Sequence, residues 1–281
     1  MRSSIRGVMV IIVLAMIVPC AVAEKKQFRY SVGKGASVSI VNDLGPVTVR
    51  PSSAGQVIIT ATPSSDKVEV DSNQTGNRVT VRTHFLQHAG VDEGRVEYDV
   101  QVPPGVNLTV HAGGGPIRLQ GLSGDVALDG DTADIEVRDC SNAHVHARTV
   151  SGSVVLSNLS NGYVEATTIG GPVTLTSVTG SRVSVNTTSG AIASRGDFAG
   201  GGEYSLTSHS GNIEVALPGS ASVEVSAHTV SGTVENDFPL APLAHPAFTL
   251  TQGKSFAGTA NQGASSIRLQ TFSGKIRVKK Q

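Results

Sequence analysis

The chain is expected to fold as an all-β protein, a single-stranded parallel β-helix (β-solenoid) with coils of about 19–21 residues and a β-rich N-terminal cap. Three observations predict this. Six segments share one internal spacing around a turn glycine: HVHARTVSGSV, YVEATTIGGPV, RVSVNTTSGAI, EYSLTSHSGNI, EVSAHTVSGTV and IRLQTFSGKIR. The glycines, Gly152, Gly171, Gly190, Gly211, Gly232 and Gly274, lie 19, 19, 21, 21 and 42 residues apart, the last interval being two periods of 21. Aligned on the glycine, apolar columns alternate with polar ones, the period-two pattern of strands that bury one face.

Residues 1–23 read as a signal peptide: Arg2 and Arg6, an apolar run from Gly7 to Val18, and Ala21-Val22-Ala23 ahead of Glu24 and Lys25. The run is shorter than the roughly 20 residues of a membrane-spanning helix. Cleavage after Ala23 leaves an exported chain with no later transmembrane segment, in the periplasm, at the cell surface or outside the cell. Cys20 follows Pro19, where lipid attachment wants a small residue, which disfavours a lipoprotein anchor. Without the leader, 20 basic residues face 22 acidic ones, which gives no electrostatic case for nucleic acid or an anionic membrane. Cys140 is then the single thiol, so packing and backbone pairing must hold the fold without an internal disulfide. It reads as a small buried hydrophobe.

Residues 24–110 form the N-terminal cap or first, wider coils. Strands are expected at Phe28 to Val32, Ala36 to Val41, Val47 to Arg50, Gln56 to Ala61, Lys67 to Asp71, Arg78 to Arg82, Arg95 to Val102 and Asn107 to Ala112, with a loop from His84 to Glu93. A cap is needed because the end of a solenoid is an unpaired edge.

Residues 111–281 continue as the solenoid. Gly115-Pro-Ile-Arg-Leu, Gly124-Asp-Val-Ala-Leu and Ala133-Asp-Ile-Glu-Val recur every nine residues, half a coil. In the later coils Val145, Val164, Val183, Tyr204, Val225 and Ile267 form one inward column; Ala147, Ala166, Val185, Leu206, Ala227 and Leu269 form a second; Val154, Val173, Ile192, Ile213, Val234 and Ile276 form a third. Thr149, Thr168, Thr187, Ser208, Thr229 and Thr271 stand three before the glycine, where hydroxyls bond the bending backbone, and the glycine is expected to supply positive φ. A serine column directly before the glycine repeats too often to be one catalytic serine. The glycine-rich HAGGGP at His111 to Pro116 and AGGGE at Ala199 to Glu203 precede no helix and read as turns, not phosphate loops. The return half varies in length, which puts Asp197 to Gly202 and a Pro-rich excursion from Pro239 to Ala264 on one edge.

Several stretches carry a resemblance: NDLGPVTV at Asn42 to Val49, VEYDVQVPPGVNLTV at Val96 to Val110, the repeated T-x-S-G-x-I/V, and NQGASSIRLQTFSGKIRV at Asn261 to Val278. Together they resemble the bacterial putative-adhesin β-helix family of unknown function. The resemblance covers nearly all of the mature chain. It implies an exported envelope β-solenoid and supplies no catalytic residues.

Function is therefore read from what the scaffold presents: a non-enzymatic scaffold or adhesion-type interaction module with a protein or glycan partner in the cell envelope. Variable loops on a rigid frame are where binding usually resides. That singles out Phe238, Leu240, Leu243, His245, Phe248 and Phe256 as partner-binding candidates, or alternatively as a cap on the last coil. His144 and His146, with Glu165 one coil away, could offer metal ligands, although a solvated strand face explains them as well. No cofactor is implied. The alternative from another class is a polysaccharide-active enzyme or carbohydrate-binding β-helix, for which only the acidic group Asp125, Asp129, Asp131, Asp134, Glu136 and Asp139 offers material.

Overall fold

The computed structural model describes residues 24–53, 55–86, 90–198 and 201–281. The leader expected over 1–23, Cys20 included, lies outside the described residues. The described chain is built of strands, and all eight strands expected before residue 115 form.

Each coil contributes one strand to each of two parallel ladders, with the turn glycine between them. In the first ladder Asn107–Gly114, Gly124–Gly130 and Ala143–Thr149 stack in chain order. They continue into the second halves of Val154–Thr168 and Val173–Thr187 and then Glu203–Ser208. The second ladder runs through Ile117–Gln120, Ile135–Arg138, the first halves of the same two long strands, Ile192–Arg195 and Ile213–Leu217. Alternation along every strand sends Val145, Val164, Val183 and their column inward from one ladder and Val154, Val173 and Ile192 from the other. The core is the seam between them, and burying each such aliphatic side chain is worth about 1.5 to 3 kcal/mol. Cys140 is buried in it, and burial pushes its thiol up from the ordinary range, as expected for a packing residue.

The structure departs from a simple single-stranded parallel β-helix at both ends. The coil Ser265–Thr271/Lys275–Lys280, last in sequence, lies between Glu203–Ser208/Ile213–Leu217 and Val223–Thr229/Thr233–Asn236. Likewise the first coil, Ser37–Leu44/Val47–Pro51, lies between Asn107–Gly114/Ile117–Gln120 and an outer coil made by Arg78–Phe85 and Val96–Val102. Antiparallel strands then close the ends: Ser255–Ala260 on Val223–Thr229 at one, Gln56–Pro63 and Val68–Thr75 at the other.

Charge explains the order at the C-terminal end. Lys275, Arg277 and Lys279 reach Glu235, Asp237 and Glu214 at 2.6, 2.9 and 2.7 Å. Glu214 and Glu235 are both in register with Arg277, so stacking the coils in chain order would set these two carboxylates opposite each other. At the N-terminal end a buried polar network does the fixing. Asn42 donates to the carbonyls of Gly45 and Val96 at 3.0 and 2.9 Å, Thr83 donates to Asn42 Oδ1 at 3.0 Å, and the Tyr98 hydroxyl lies 2.9 Å from the Thr83 hydroxyl.

The turns correct one expectation. None of the six turn glycines has positive φ. Their requirement is closeness: a Cβ at Gly171 would collide with the carbonyl oxygen of Gly152, one at Gly190 with that of Gly171, and so on through Gly211, Gly274 and Gly232. In all six turns the Thr or Ser hydroxyl accepts the glycine N–H at 2.7–3.2 Å. Positive φ belongs to the opposite corner, at Asp139, Asn158 and Ser177, where Asn158 Nδ2 donates to Asp139 at 2.9 Å. The HAGGGP run is also corrected. Gly113 and Gly114 end the strand Asn107–Gly114, and Gly113 and Gly115 approach the backbone of Asp43 and Gly45 in the neighbouring coil.

Candidate functional site

One residue per turn, two before the glycine, points away from the core. In spatial order these are Val150, Ile169, Thr188, His209, Phe272 and Val230, the last two reversed relative to the sequence because of the inserted coil. Val150, Ile169, Phe272 and Val230 are 48, 54, 49 and 56 % exposed, two pairs of large apolar side chains, one on each side of Thr188 and His209, that the fold leaves in solvent. The rings of His209 and Phe272 stack with centroids 5.0 Å apart and planes 5° from parallel.

Alternation makes the residues two positions earlier face the same way. Arg148, Thr167, Asn186, Thr207, Gln270 and His228 therefore form a second rail beside the apolar one, and between the rails, from Thr167 onward, runs a shallow groove of about 600 Å³. Its floor is the buried Thr168, Thr187, Ser208 and Thr271 of the turn ladder. No Asp, Glu, Lys or Arg lines it. Rungs about 4.8 Å apart and rails about 7 Å apart, two residues along a strand, make it narrow and periodic. The apolar column escaped the sequence reading because each member sits among hydroxyl and glycine positions; the recurring V, I or F in T-x-S-G was the available signal.

The residues singled out in the sequence occupy other places. His146 Nδ1 is 3.3 Å from Glu165 in the adjacent coil, whereas His144 turns to Asp125 at 3.1 Å on the other side, so the three are not gathered around one point. Among the described residues the His, Asp and Glu donors that do meet within 4.8 Å are Glu69, Asp71 and His84, on the outward face of the hairpin Val68–Thr75/Arg78–Phe85. The acidic group disperses. Asp134 accepts from the Ser153 hydroxyl and amide, both at 2.7 Å, which hold its carboxyl below the usual range, and Glu136 pairs with Arg118 and Arg138.

Most of the excursion candidates turn inward. Phe238 is buried, Leu240 and Phe256 pack against the core, and Phe248 lies on His228 with ring centroids 5.4 Å apart. Leu243 is half-buried and His245 exposed. The excursion covers the edge of the outermost coil through Ser255–Ala260, with Ala241–Pro242 paired outside it.

The Toastrack DUF4097 family model matches residues 37–279. The chain belongs to that family. The match spans both interleaved ends of the stack. A search of curated proteins finds no match. Similar solved structures include a putative adhesin from Bacteroides fragilis (10% identity, 92% of this chain and 98% of that chain, TM-score 0.33). Another is a putative adhesin from Parabacteroides merdae (13%, 92% and 97%, TM-score 0.31). A third is a putative cell adhesion protein from Clostridium sporogenes (10%, 92% and 100%, TM-score 0.24).

Proposed function

We propose that this Toastrack protein is an exported, non-enzymatic interaction module of the bacterial cell envelope, of the adhesion type, and that it contacts its partner along the turn edge. The observation that carries the reading is the row Val150, Ile169, Phe272 and Val230, about half exposed on a scaffold that buries its other aliphatic columns. Rows of apolar side chains rimmed by polar ones mark contact surfaces. The groove beside the row holds no carboxylate, and its two histidines, His209 and His228, lie against Phe272 and Phe248 rather than against an acid that would orient them, which supports binding over turnover. The excursion at 239–264 serves as the cap, since its aromatic residues are spent on covering the outer coil.

The test is association of the purified mature chain with isolated cell envelopes. Ile169→Asp combined with Phe272→Asp places charge on the apolar row without touching the core. We expect that variant to melt like wild type and to lose envelope association. Unchanged association in a folded double variant would overturn the assignment of the turn edge.

A further inference from the structure

We infer that the turn-edge groove is a binding site for an uncharged, extended glycan lying parallel to the solenoid axis. This rests on the reading of the turn edge as the contact surface and adds the chemical class of what it contacts. Three features of the groove lead to it.

The first is charge. The lining offers hydroxyls, amides and imidazoles, from Thr167, Asn186, Thr207, Gln270 and His228, but no fixed charge. An anionic polymer would find a single cation, Arg148, at the end of the polar rail next to Thr167, and a protein partner of ordinary composition would have to desolvate its own charged residues against otherwise neutral walls. The hydroxyl-rich surface of a neutral sugar chain matches the amide and hydroxyl rail group for group, each hydroxyl being donor and acceptor.

The second is the two-sided character of the walls. A pyranose ring has hydroxyls around its rim and C–H groups on its faces. One rail supplies hydrogen-bonding side chains, and the other supplies Ile169, Val230 and the stacked edges of His209 and Phe272, broken by one hydroxyl at Thr188. The rails rise from positions about 7 Å apart along the backbone, a narrower footprint than a helix with its side chains at about 10 Å.

The third is repetition. Five rungs contribute to the groove, so equivalent positions recur about every 4.8 Å over about 19 Å, those of one rail all polar. A globular ligand has no use for equivalent contacts at a fixed interval. An extended β-1,4-linked glycan does, because it advances by nearly one rung per sugar. Binding should then grow with chain length until the rungs are filled, the behaviour of repeated weak contacts on one rigid frame.

The experiment is isothermal titration of the full mature chain with neutral β-1,4-linked oligosaccharides from disaccharide to hexasaccharide, with a polyuronate of similar length as the charged control. We expect affinity to rise with length, the polyuronate to bind at least about tenfold more weakly, and Asn186→Ala and Phe272→Ala each to weaken the hexasaccharide by about tenfold. Both positions are exposed, so folding is checked by an unchanged melting temperature. No heat with any neutral oligosaccharide, or binding that both variants leave intact, overturns the glycan assignment. Should the oligosaccharides fail while the Ile169→Asp/Phe272→Asp variant still loses envelope association, the contact edge stands and its ligand is not this class. Loss of neither overturns both.

Discussion

Gly170 and Gly171 are adjacent and have opposite tolerances. A Cβ at Gly170 would meet nothing closer than 3.9 Å, whereas at Gly171 it would run into the carbonyl of the next rung. Gly171→Ala should therefore cost roughly 2 to 4 kcal/mol and Gly170→Ala under about 1, measured by denaturant midpoint. The sequence showed that a glycine was needed but pointed to the wrong reason, because a contact between coils leaves no mark on local sequence. Tyr98 was equally opaque, an ordinary tyrosine in a strand until the structure brought Thr83 and Asn42 to it. Buried, its phenol is pushed from 10.0 to about 12. The raised value means that the folded state keeps the proton where the unfolded chain loses it, so the contribution is complete below pH 10 and lost as pH rises towards about 12. Wild type should thus lose about 2 to 3 kcal/mol between those pH values, and Tyr98→Phe should show a flatter decline in thermal melts.

Strands were the most legible elements, since a period of two is written residue by residue. Val183 and Ile192 sit in inward columns at 0 and 1 % exposure, so replacing either by Asp buries an unpaired carboxylate and should unfold the central coils. Thr187→Ala removes one methyl group and the hydroxyl that accepts from Gly190, a smaller loss of about 2 kcal/mol in the same circular dichroism melts. Coil order was not legible, because every coil carries the same columns and any order would bury them equally well. What discriminates lies on the outer face. Reversing Lys275 and Arg277 to Glu should lower the melting temperature by bringing like charges onto Glu235, Asp237 and Glu214, and reversing Glu235 and Asp237 to Lys in the same chain should recover part of it. Each exposed pair is worth at most about 1 kcal/mol, and high salt should blunt both effects.

At the scale of the molecule, antiparallel strands cover both ladders at the N-terminal end and the first ladder at the C-terminal end, so those edges are not bare templates for another chain, while Thr233–Asn236 is the outer strand of the second ladder. Deleting Pro242 to Ala257 should accordingly cause early melting or aggregation in light scattering, with the edge of Val223–Thr229 uncovered. The sequence placed length variation correctly on one edge, yet the exposed apolar row runs along the other, where length never changes. Its composition depends on the inserted coil: only then does Phe272 stand between His209 and Val230. Disulfide formation reads that order directly. Adjacent rungs put Cα atoms about 4.8 Å apart and alternate rungs about 9.6 Å, and a disulfide needs less than about 7 Å. In the mature chain, His209→Cys with Phe272→Cys should cross-link completely within one molecule under mild oxidation, while His209→Cys with Val230→Cys should stay reduced. A ready 209–230 disulfide with no 209–272 disulfide would mean that the coils stack in chain order, and the groove as described here would not exist.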